Sequence, residues 1–294
     1  MSAEIVTIKE EGDVGQRIDN FLLRQLKGVP RTHVYKILRS GEVRVNSGRI
    51  KPSYRLSMGD QVRVPPVRIA KSTPIRPQSG LIERLQDAIL FEDDRYLAID
   101  KPAGVAVHGG TSINSGVVEQ LRLAANNPKL ELVHRLDRDT SGCLLLAKRG
   151  SALREAQTAF RQRTTSKIYQ GLVQGQWPKS LRSIQLPLQR YQTSWGERRV
   201  RVDYQGQSAR TDVELLSATE EFSSLRLILH TGRTHQIRVH LAHHGHPLLG
   251  DSKYGDEQSA ERLMLHAERL KVRMPNGELD VRAPLPDSFL QKLG

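Results

Sequence analysis

Hydrophobic positions recur with two different periods along the chain, and the first is helical. In "RIDNFLLRQL" and "RTHVYKILRSG" apolar residues recur every three or four positions, which predicts two short amphipathic helices. At about 100° per residue, Val34, Ile37 and Leu38 fall in one arc of the second helix, and Gly41 ends it. Three cations share the opposite arc: Arg31, Lys36 and Arg39. We expect this helix to pack with one face and to present positive charge with the other.

After these two helices, apolar and polar residues alternate with a period of two. "EVRVN", "SGR" and "DQVRVP" alternate apolar and polar residues around Asn and Gly, which predicts short, half-exposed strands. "PPVRIAKSTPIRPQSG" then carries four prolines without a sustained period, which is typical of a linker. We therefore predict an N-terminal domain over 16–72, a linker over 73–86 and a larger domain over 87–294.

The larger region mixes both periods. "AILFEDDRYLAIDKP" predicts two strands, and "CLLLAK", "IYQGLVQG" and "SLRLILH" predict three more. Helices are predicted for "ALREAQTAFRQR", capped by Ser151, and for "HQIRVHLAHHG", capped by Thr234. Strands and helices do not alternate regularly, so the fold class is α+β, with a mixed, mainly antiparallel sheet flanked by helices.

Charge separates the two regions further. The chain of 294 residues carries a formal net charge of +13, and residues 16–71 hold 13 Lys and Arg against 3 Asp and Glu, a net +10. A small, strongly basic unit joined to a region of nearly balanced charge predicts an RNA- or DNA-binding domain at the N-terminal end. The alternative is a basic face that is merely solvated.

Several classes of protein are excluded by composition. No apolar run approaches the roughly 20 residues that span a bilayer, and "MSAEIVTIKEEGD" lacks the features of a signal peptide, so we expect a cytoplasmic protein without a membrane partner. The single cysteine, Cys143, excludes an internal disulfide and a cysteine-based zinc cluster. It lies in an apolar run and is expected to be buried and inert.

The stretch "HRLDRDTSG", residues 134–142, concentrates charge directly before a strand predicted to be buried. Such a cluster is costly unless its charges are paired or used. A Ser-His-Asp triad is disfavoured, because triad members meet through folding and no G-x-S-x-G turn exists. Asp137 and Asp139 are a pair of carboxylates suited to glycosidic-bond chemistry. The alternative is an Arg/Asp network that only holds a loop.

Two family resemblances decide among these interpretations. The basic unit, with "R-x-D-x-F" and "G-x-V-x-V-N", resembles the S-four-type RNA-binding domain over residues 16–63. "HRLDRDTSG" resembles the active-site signature of the RluA-type pseudouridine synthases. Five further motifs of that family occur in the family's order, one before this signature and four after it: "KPAGVAVHGG", "KIYQGLVQG", "TGRTHQIRVH", "GHPLLGDSKYG" and "LMLHA".

The family resemblance implies a reaction and the residues that perform it. Such enzymes break the glycosidic bond of a uridine in RNA, turn the uracil and rejoin it through carbon 5, with neither cofactor nor metal. Asp137 matches the catalytic aspartate, acting either as a nucleophile at the anomeric carbon or as a base on the neighbouring ribose proton. Arg238 matches the arginine that pairs with it in a dry pocket. Tyr169 matches the aromatic residue that stacks on uracil and is a candidate for removing the carbon-5 proton.

Other matched residues are expected to bind the substrate. Leu265 matches the apolar residue against the opposite face of the base, and Arg135 the residue that fills the space left by the flipped nucleotide. His108 lies in a Gly-rich loop expected to border the cleft and contact the RNA backbone. Asp139 is interpreted as structural, paired with Arg138. In the S-four-like domain the expected phosphate ligands are the three cations of the second helix, Arg31, Lys36 and Arg39.

Some patterns support weaker alternatives. His240, His243, His244 and His246 have spacings that a metal could use, but no matched carboxylate or cysteine completes a site. "GVAVHGG" lacks the Gly-Lys-Ser/Thr ending of a nucleotide-binding P-loop.

The partner implied by the resemblance is ribosomal RNA, either 23S rRNA or a large-subunit assembly intermediate, bound by a monomer. Action on other rRNA or tRNA uridines, an N-glycosidase and a non-catalytic assembly factor are the remaining alternatives.

Overall fold

The chain divides into two compact units, Met1–Pro74 and Ile75–Gly294. The computed structural model describes residues 3–26, 28–67, 76–109, 115–275 and 277–294. Within these ranges no helix is long and apolar enough to cross a bilayer.

The first unit is a small sheet covered by two helices. Its elements are β1 (Glu4–Thr7), a 3-10 turn (Glu11–Asp13), α1 (Ile18–Gln25), α2 (Arg31–Ser40), β2 (Arg44–Val45), β3 (Gly48–Arg49) and β4 (Gln61–Val64). The strands run antiparallel in the order β1-β4-β2-β3. The sequence pattern missed β1, because its alternation extends over only four residues.

Helix α2 has the two faces that its sequence predicted. Val34, Ile37 and Leu38 are buried in the core of the first unit. Gly41 ends the helix in the left-handed region, with φ +75°. The three cations on the other face are all exposed: Arg31, Lys36 and Arg39.

The second unit is built on one large sheet. Its elements begin with α3 (Ser79–Asp87), β5 (Ile89–Glu92), β6 (Tyr96–Lys101), α4 (Val117–Ala124), β7 (Glu131–Leu132), β8 (Ser141–Ala147), α5 (Gly150–Gln162) and β9 (Thr165–Gln174). They continue with β10 (Ser183–Ile184), β11 (Leu188–Gln192), β12 (Arg198–Val202), β13 (Thr211–Ala218), β14 (Phe222–Leu229), α6 (Gln236–His243), β15 (Leu265–Met274), β16 (Gly277–Arg282) and α7 (Asp287–Leu293).

The sheet order is β10-β13-β14-β9-β15-β8-β6-β5, with β16 added to β15 and β7 to β8. Among the described pairings only β15 and β8 run parallel, so the prediction of a mainly antiparallel α+β fold is confirmed. Strands β11 and β12 form a separate two-stranded ribbon.

Both faces of the sheet are covered, which explains the continuous apolar run of β8. Leu144 and Leu146 lie in the larger core on one face, while Cys143 and Leu145 lie in the core under α5 on the other. Cys143 is buried, as predicted, and burial raises the pKa of its thiol to about 12, which disfavours the reactive thiolate.

Three local predictions are wrong. The linker predicted over 73–86 includes most of α3, whose Leu85 is fully buried; residues 73–75 lie outside the described ranges. Composition alone suggested a linker there, whereas the apolar spacing after the last proline favours a helix. Ser151 does not cap α5, because that helix already begins at Gly150. Thr234 does not cap α6, because the N-cap is His235, with φ +52°.

Gly142 is required where β8 meets β15. Its φ is +109°, and a Cβ there would lie 2.3 Å from the backbone oxygen of Ala267. We expect Gly142→Ala to lower the free energy of unfolding by roughly 2–4 kcal/mol, through backbone strain and overpacking. Urea denaturation measures this. Gly80→Ala in α3 is the control, because its Cβ would meet nothing within 4 Å; equal urea midpoints for the two variants would contradict the expectation.

Candidate active site

Most of the charged stretch 134–142 forms the loop between β7 and β8, and its last two residues begin β8. The loop holds Asp137 opposite α6. Asp137 Oδ2 lies 3.9 Å from Nη1 of Arg238, whose side chain is only 3% exposed. The two residues are therefore brought together as predicted. The side chain of Asp137 is 28% exposed, however, so the prediction of a dry pocket does not hold for the described residues alone.

The main partner of Arg238 is Asp251, which the sequence analysis did not single out. The Arg238 Nε and Nη2 donate to the Asp251 carboxylate at 2.8 and 2.6 Å, a bidentate pair. Asp251 is fully buried. Burial alone would raise the pKa of Asp251, but the hydrogen bonds and charge of Arg238, together with two backbone hydrogen bonds, outweigh it and lower that pKa. Arg238 is thus fixed by Asp251 and turns its remaining nitrogen, Nη1, toward Asp137.

Asp251 is itself fixed by the turn that follows it. Its Oδ1 accepts hydrogen bonds from the backbone N–H groups of Lys253 and Tyr254, at 2.9 and 3.1 Å. The ring of Tyr254 lies 5.3 Å from the Arg238 guanidinium, within the range of a cation–π contact. The signal for Asp251 was present in the sequence as the acidic residue of "GHPLLGDSKYG", after an apolar run.

Tyr254 also connects this buried pair to the β11–β12 ribbon. Its hydroxyl oxygen accepts the N–H of Val200 at 3.0 Å and lies 2.7 Å from Nδ1 of His235. Burial raises the pKa of Tyr254 to about 12 and lowers that of His235, although the charge of Asp137 opposes the latter shift. The hydrogen bond between Tyr254 and His235 therefore ties the ribbon side of Asp251 to the start of α6.

Buried apolar side chains pack next to the loop of Asp137, since Leu136 of that loop belongs to the larger core cluster. Tyr169 on β9 and Leu265 at the start of β15 are 8% and 3% exposed and belong to the same core cluster. Burial raises the pKa of the Tyr169 hydroxyl, and the charge of Asp137 raises it further, so the hydroxyl keeps its proton near neutral pH. The structure thus brings Asp137, Arg238, Tyr169 and Leu265 into one region.

The remaining predicted substrate contacts are more scattered. Arg135 is exposed and takes part in no ion pair among the described residues. His108 is half-buried, with Nδ1 2.9 Å from its neighbour Gly109 O, and no described hydrogen bond joins it to Asp137. Residues 110–114 of the same loop lie outside the described ranges. Asp139 accepts from Nε of Arg138 at 2.9 Å, which confirms the predicted pair.

Lys101 is a second residue that the sequence analysis missed. It is fully buried, and its Nζ donates to the backbone oxygens of Pro102, Val105 and Arg138 at 2.7, 2.9 and 2.9 Å. Arg138 directly follows Asp137, so Lys101 links the Gly-rich loop to the loop of the aspartate. The signal was the lysine that opens "KPAGVAVHGG".

The histidines do not form a metal site in the described part of the chain, where no group of three potential ligands is suitably arranged. His240 instead lies 3.0 Å from both the Thr211 hydroxyl and the Leu186 oxygen. Burial lowers its pKa. These contacts are typical of a neutral structural histidine.

Comparisons with known proteins identify the chemistry of this region. The model for RNA pseudouridylate synthases matches residues 95–243, and that for the S4 domain, which is the S-four-type domain, matches residues 16–62. Ribosomal large subunit pseudouridine synthase C of Pasteurella multocida is 45% identical over 306 aligned positions, covering all of this chain and 94% of the relative. The chain belongs to the RNA pseudouridylate synthase family.

Other relatives agree with this membership. The synthase C of Haemophilus influenzae is 47% identical, covering 94% of this chain and 89% of the relative. Among solved structures, human RNA pseudouridylate synthase domain containing 1 superposes with a TM-score of 0.61 at 29% identity, covering 75% of this chain and 89% of that one. The chain is therefore an enzyme of this family with RNA as its substrate, and its first unit contains an S4 RNA-binding domain.

Proposed function

We propose that this enzyme converts specific uridines of 23S rRNA, free or in a large-subunit assembly intermediate, to pseudouridine. The two relatives are named as ribosomal large subunit pseudouridine synthases, and the chain aligns with nearly the whole length of each. Both observations support this substrate. We propose further that it acts as a monomer in the cytoplasm. The observation that carries the mechanism is the Asp137 carboxylate, which faces a buried arginine next to the core cluster that holds Tyr169 and Leu265.

The proposed roles follow from this arrangement. Asp137 attacks the anomeric carbon or removes the neighbouring ribose proton, and either role uses its carboxylate oxygens, one of which faces Nη1 of Arg238 at 3.9 Å. The uracil packs between Tyr169 and Leu265, and the bound nucleotide displaces water from the exposed side of Asp137. Because the Tyr169 hydroxyl keeps its proton at neutral pH, we propose that Tyr169 stacks on the uracil and favour this role over removal of the carbon-5 proton.

Access to the site requires the uridine to leave its stack, which costs a few kcal/mol. Arg135 is exposed on the same loop as Asp137 and is proposed to occupy the vacated space. His108 is proposed to contact the RNA backbone at the edge of the cleft. The exposed cations of α2 are proposed to hold phosphates of structured RNA.

Neutralising the α2 cations is expected to separate binding from chemistry. With Arg31, Lys36 and Arg39 changed to Gln, the slope of log affinity against log salt should fall by about 2–3, because each phosphate contact contributes roughly 0.7–0.9. The single-turnover rate at saturating enzyme should stay within about twofold. Filter binding and rapid quench measure the two quantities.

A second triple variant serves as the control. Arg269, Lys271 and Arg273 on β15 are already paired with Glu278 and Asp280, so their change to Gln should alter the salt slope far less. A large loss of the single-turnover rate in the α2 variant at saturating enzyme would show that these cations contribute to catalysis as well as to RNA binding, and would contradict the prediction.

The chemistry is tested by the products formed from rRNA fragments. Chromatography of the digested RNA should show pseudouridine and no free uracil, because the enzyme rejoins the base. Release of free uracil would indicate an N-glycosidase, and unchanged RNA in every large-subunit fragment would contradict the proposed substrate.

A further inference from the structure

A cationic cavity of about 470 Å³ lies at the end of the sheet where β9 begins and β14 ends. Its walls include Arg163, Lys167, His230 and Arg233, together with Phe160. None of the described residues that line it carries a carboxylate. We call it the Lys167 cavity.

Lys167 on β9 is one of the cations that line the cavity. Its side chain is half-buried, and among the described residues it forms neither an ion pair nor a hydrogen bond. Burial and, to a smaller extent, the charge of Arg163 lower the pKa of Lys167 to about 8. A partly buried ammonium group without an anion is unfavourable, so the site as described would be stabilised by an anionic ligand.

Two arginines extend the positive charge. Nε of Arg233 donates to the Ser208 backbone oxygen at 3.2 Å, which anchors the guanidinium and leaves its terminal nitrogens available. Arg163 is exposed at the end of α5, with φ +59°. His230 is engaged differently, since its Nε2 lies 2.6 Å from the carboxylate of Asp212. The cations available to a ligand are therefore Lys167, Arg163 and Arg233.

Residues that line the cavity lead directly into two segments of the candidate active site, and the charge of Lys167 acts on a third. Lys167 precedes Tyr169 by two positions on β9, so the two side chains lie on one face of the strand, about 7 Å apart. Arg233 precedes α6, which carries Arg238. The charge of Lys167 also contributes to lowering the pKa of His134 to about 4, after burial, and His134 begins the loop of Asp137.

We propose that the Lys167 cavity binds a backbone phosphate of the RNA directly next to the flipped uridine, with Lys167 and Arg233 as its main ligands. The position rests on the proposed function, because it takes Tyr169 as the residue that packs on the uracil. A phosphate held here would keep the flipped nucleotide from returning to its stack and would orient its ribose toward Asp137.

The first test measures binding of a 23S rRNA fragment as a function of salt. Lys167→Gln and Arg233→Gln should each weaken affinity about tenfold and reduce the salt slope by about 0.7, as for one single-strand phosphate contact. Lys167→Arg should retain the wild-type slope. Lys292→Gln, at an exposed lysine of α7, should match wild type. Slopes unchanged in both cavity variants, or lowered equally in the control, would overturn the proposal.

The second test places the phosphate. A neutral methylphosphonate on one side of a converted uridine should weaken binding to wild type about tenfold and should cause no further loss in Lys167→Gln. If a methylphosphonate on neither side of the uridine weakened binding to wild type, the phosphate would not be bound next to the flipped uridine, and the proposed location would be wrong. If no fragment is converted, the proposed function fails, whereas the salt slopes still decide whether the cavity binds RNA phosphate.

Discussion

Asp251→Asn is expected to lower the single-turnover rate about 100-fold while changing the affinity for RNA by less than about twofold. The variant keeps the size of the side chain but removes the charge that holds the Arg238 guanidinium at 2.6–2.8 Å. Removing one partner of a buried pair leaves an uncompensated charge, and a displacement of about 1 Å in a catalytic group costs on the order of 10²-fold in rate. Asp251 contacts no reacting atom, so it is a positioning residue that acts through Arg238.

The same variant is also expected to lose stability, roughly 3–5 kcal/mol. The rate is therefore measured at a temperature where circular dichroism shows the variant folded. Asp280→Asn removes the carboxylate from another Arg–Asp pair, Nε of Arg269 to Asp280 at 2.7 Å, and should leave the rate unchanged. A wild-type rate in folded Asp251→Asn would show that Arg238 does not depend on this partner.

The sequence predicted those features that are encoded locally. The two faces of α2 follow from the spacing of Val34, Ile37 and Leu38, and the burial of β8 follows from its unbroken apolar run. These elements were predictable because the signal for each lies within one short segment, a helical period in α2 and a continuous apolar run in β8.

Features that depend on distant partners were not predictable in the same way. The Arg238–Asp251 pair spans 13 positions and forms only when α6 packs on the turn after the "GHPLLG" segment. Lys101 meets a carbonyl 37 positions away. Neither pairing has a local period, and the motif resemblance supplied Arg238 without its main partner.

Asp137→Asn is expected to reduce isomerisation by more than about 10³-fold, the largest effect of any single change. The amide has the same shape but can serve neither as a nucleophile nor as a base, and it loses the attraction of the Arg238 charge at 3.9 Å. Because the Asp137 side chain is 28% exposed, its neutralisation should leave the fold intact. Asp139→Asn, two positions along the same loop, should retain activity within a few-fold, since Asp139 pairs with Arg138.

The central claim is that a single carboxylate, Asp137, drives the exchange of the glycosidic bond from nitrogen to carbon 5. The most direct measurement is the release of tritium from RNA labelled at carbon 5 of uracil. We expect release by the wild type and by Asp139→Asn, and none above background by Asp137→Asn or Asp137→Ala. Equal release by the wild type and both Asp137 variants would show that the reaction does not use this carboxylate.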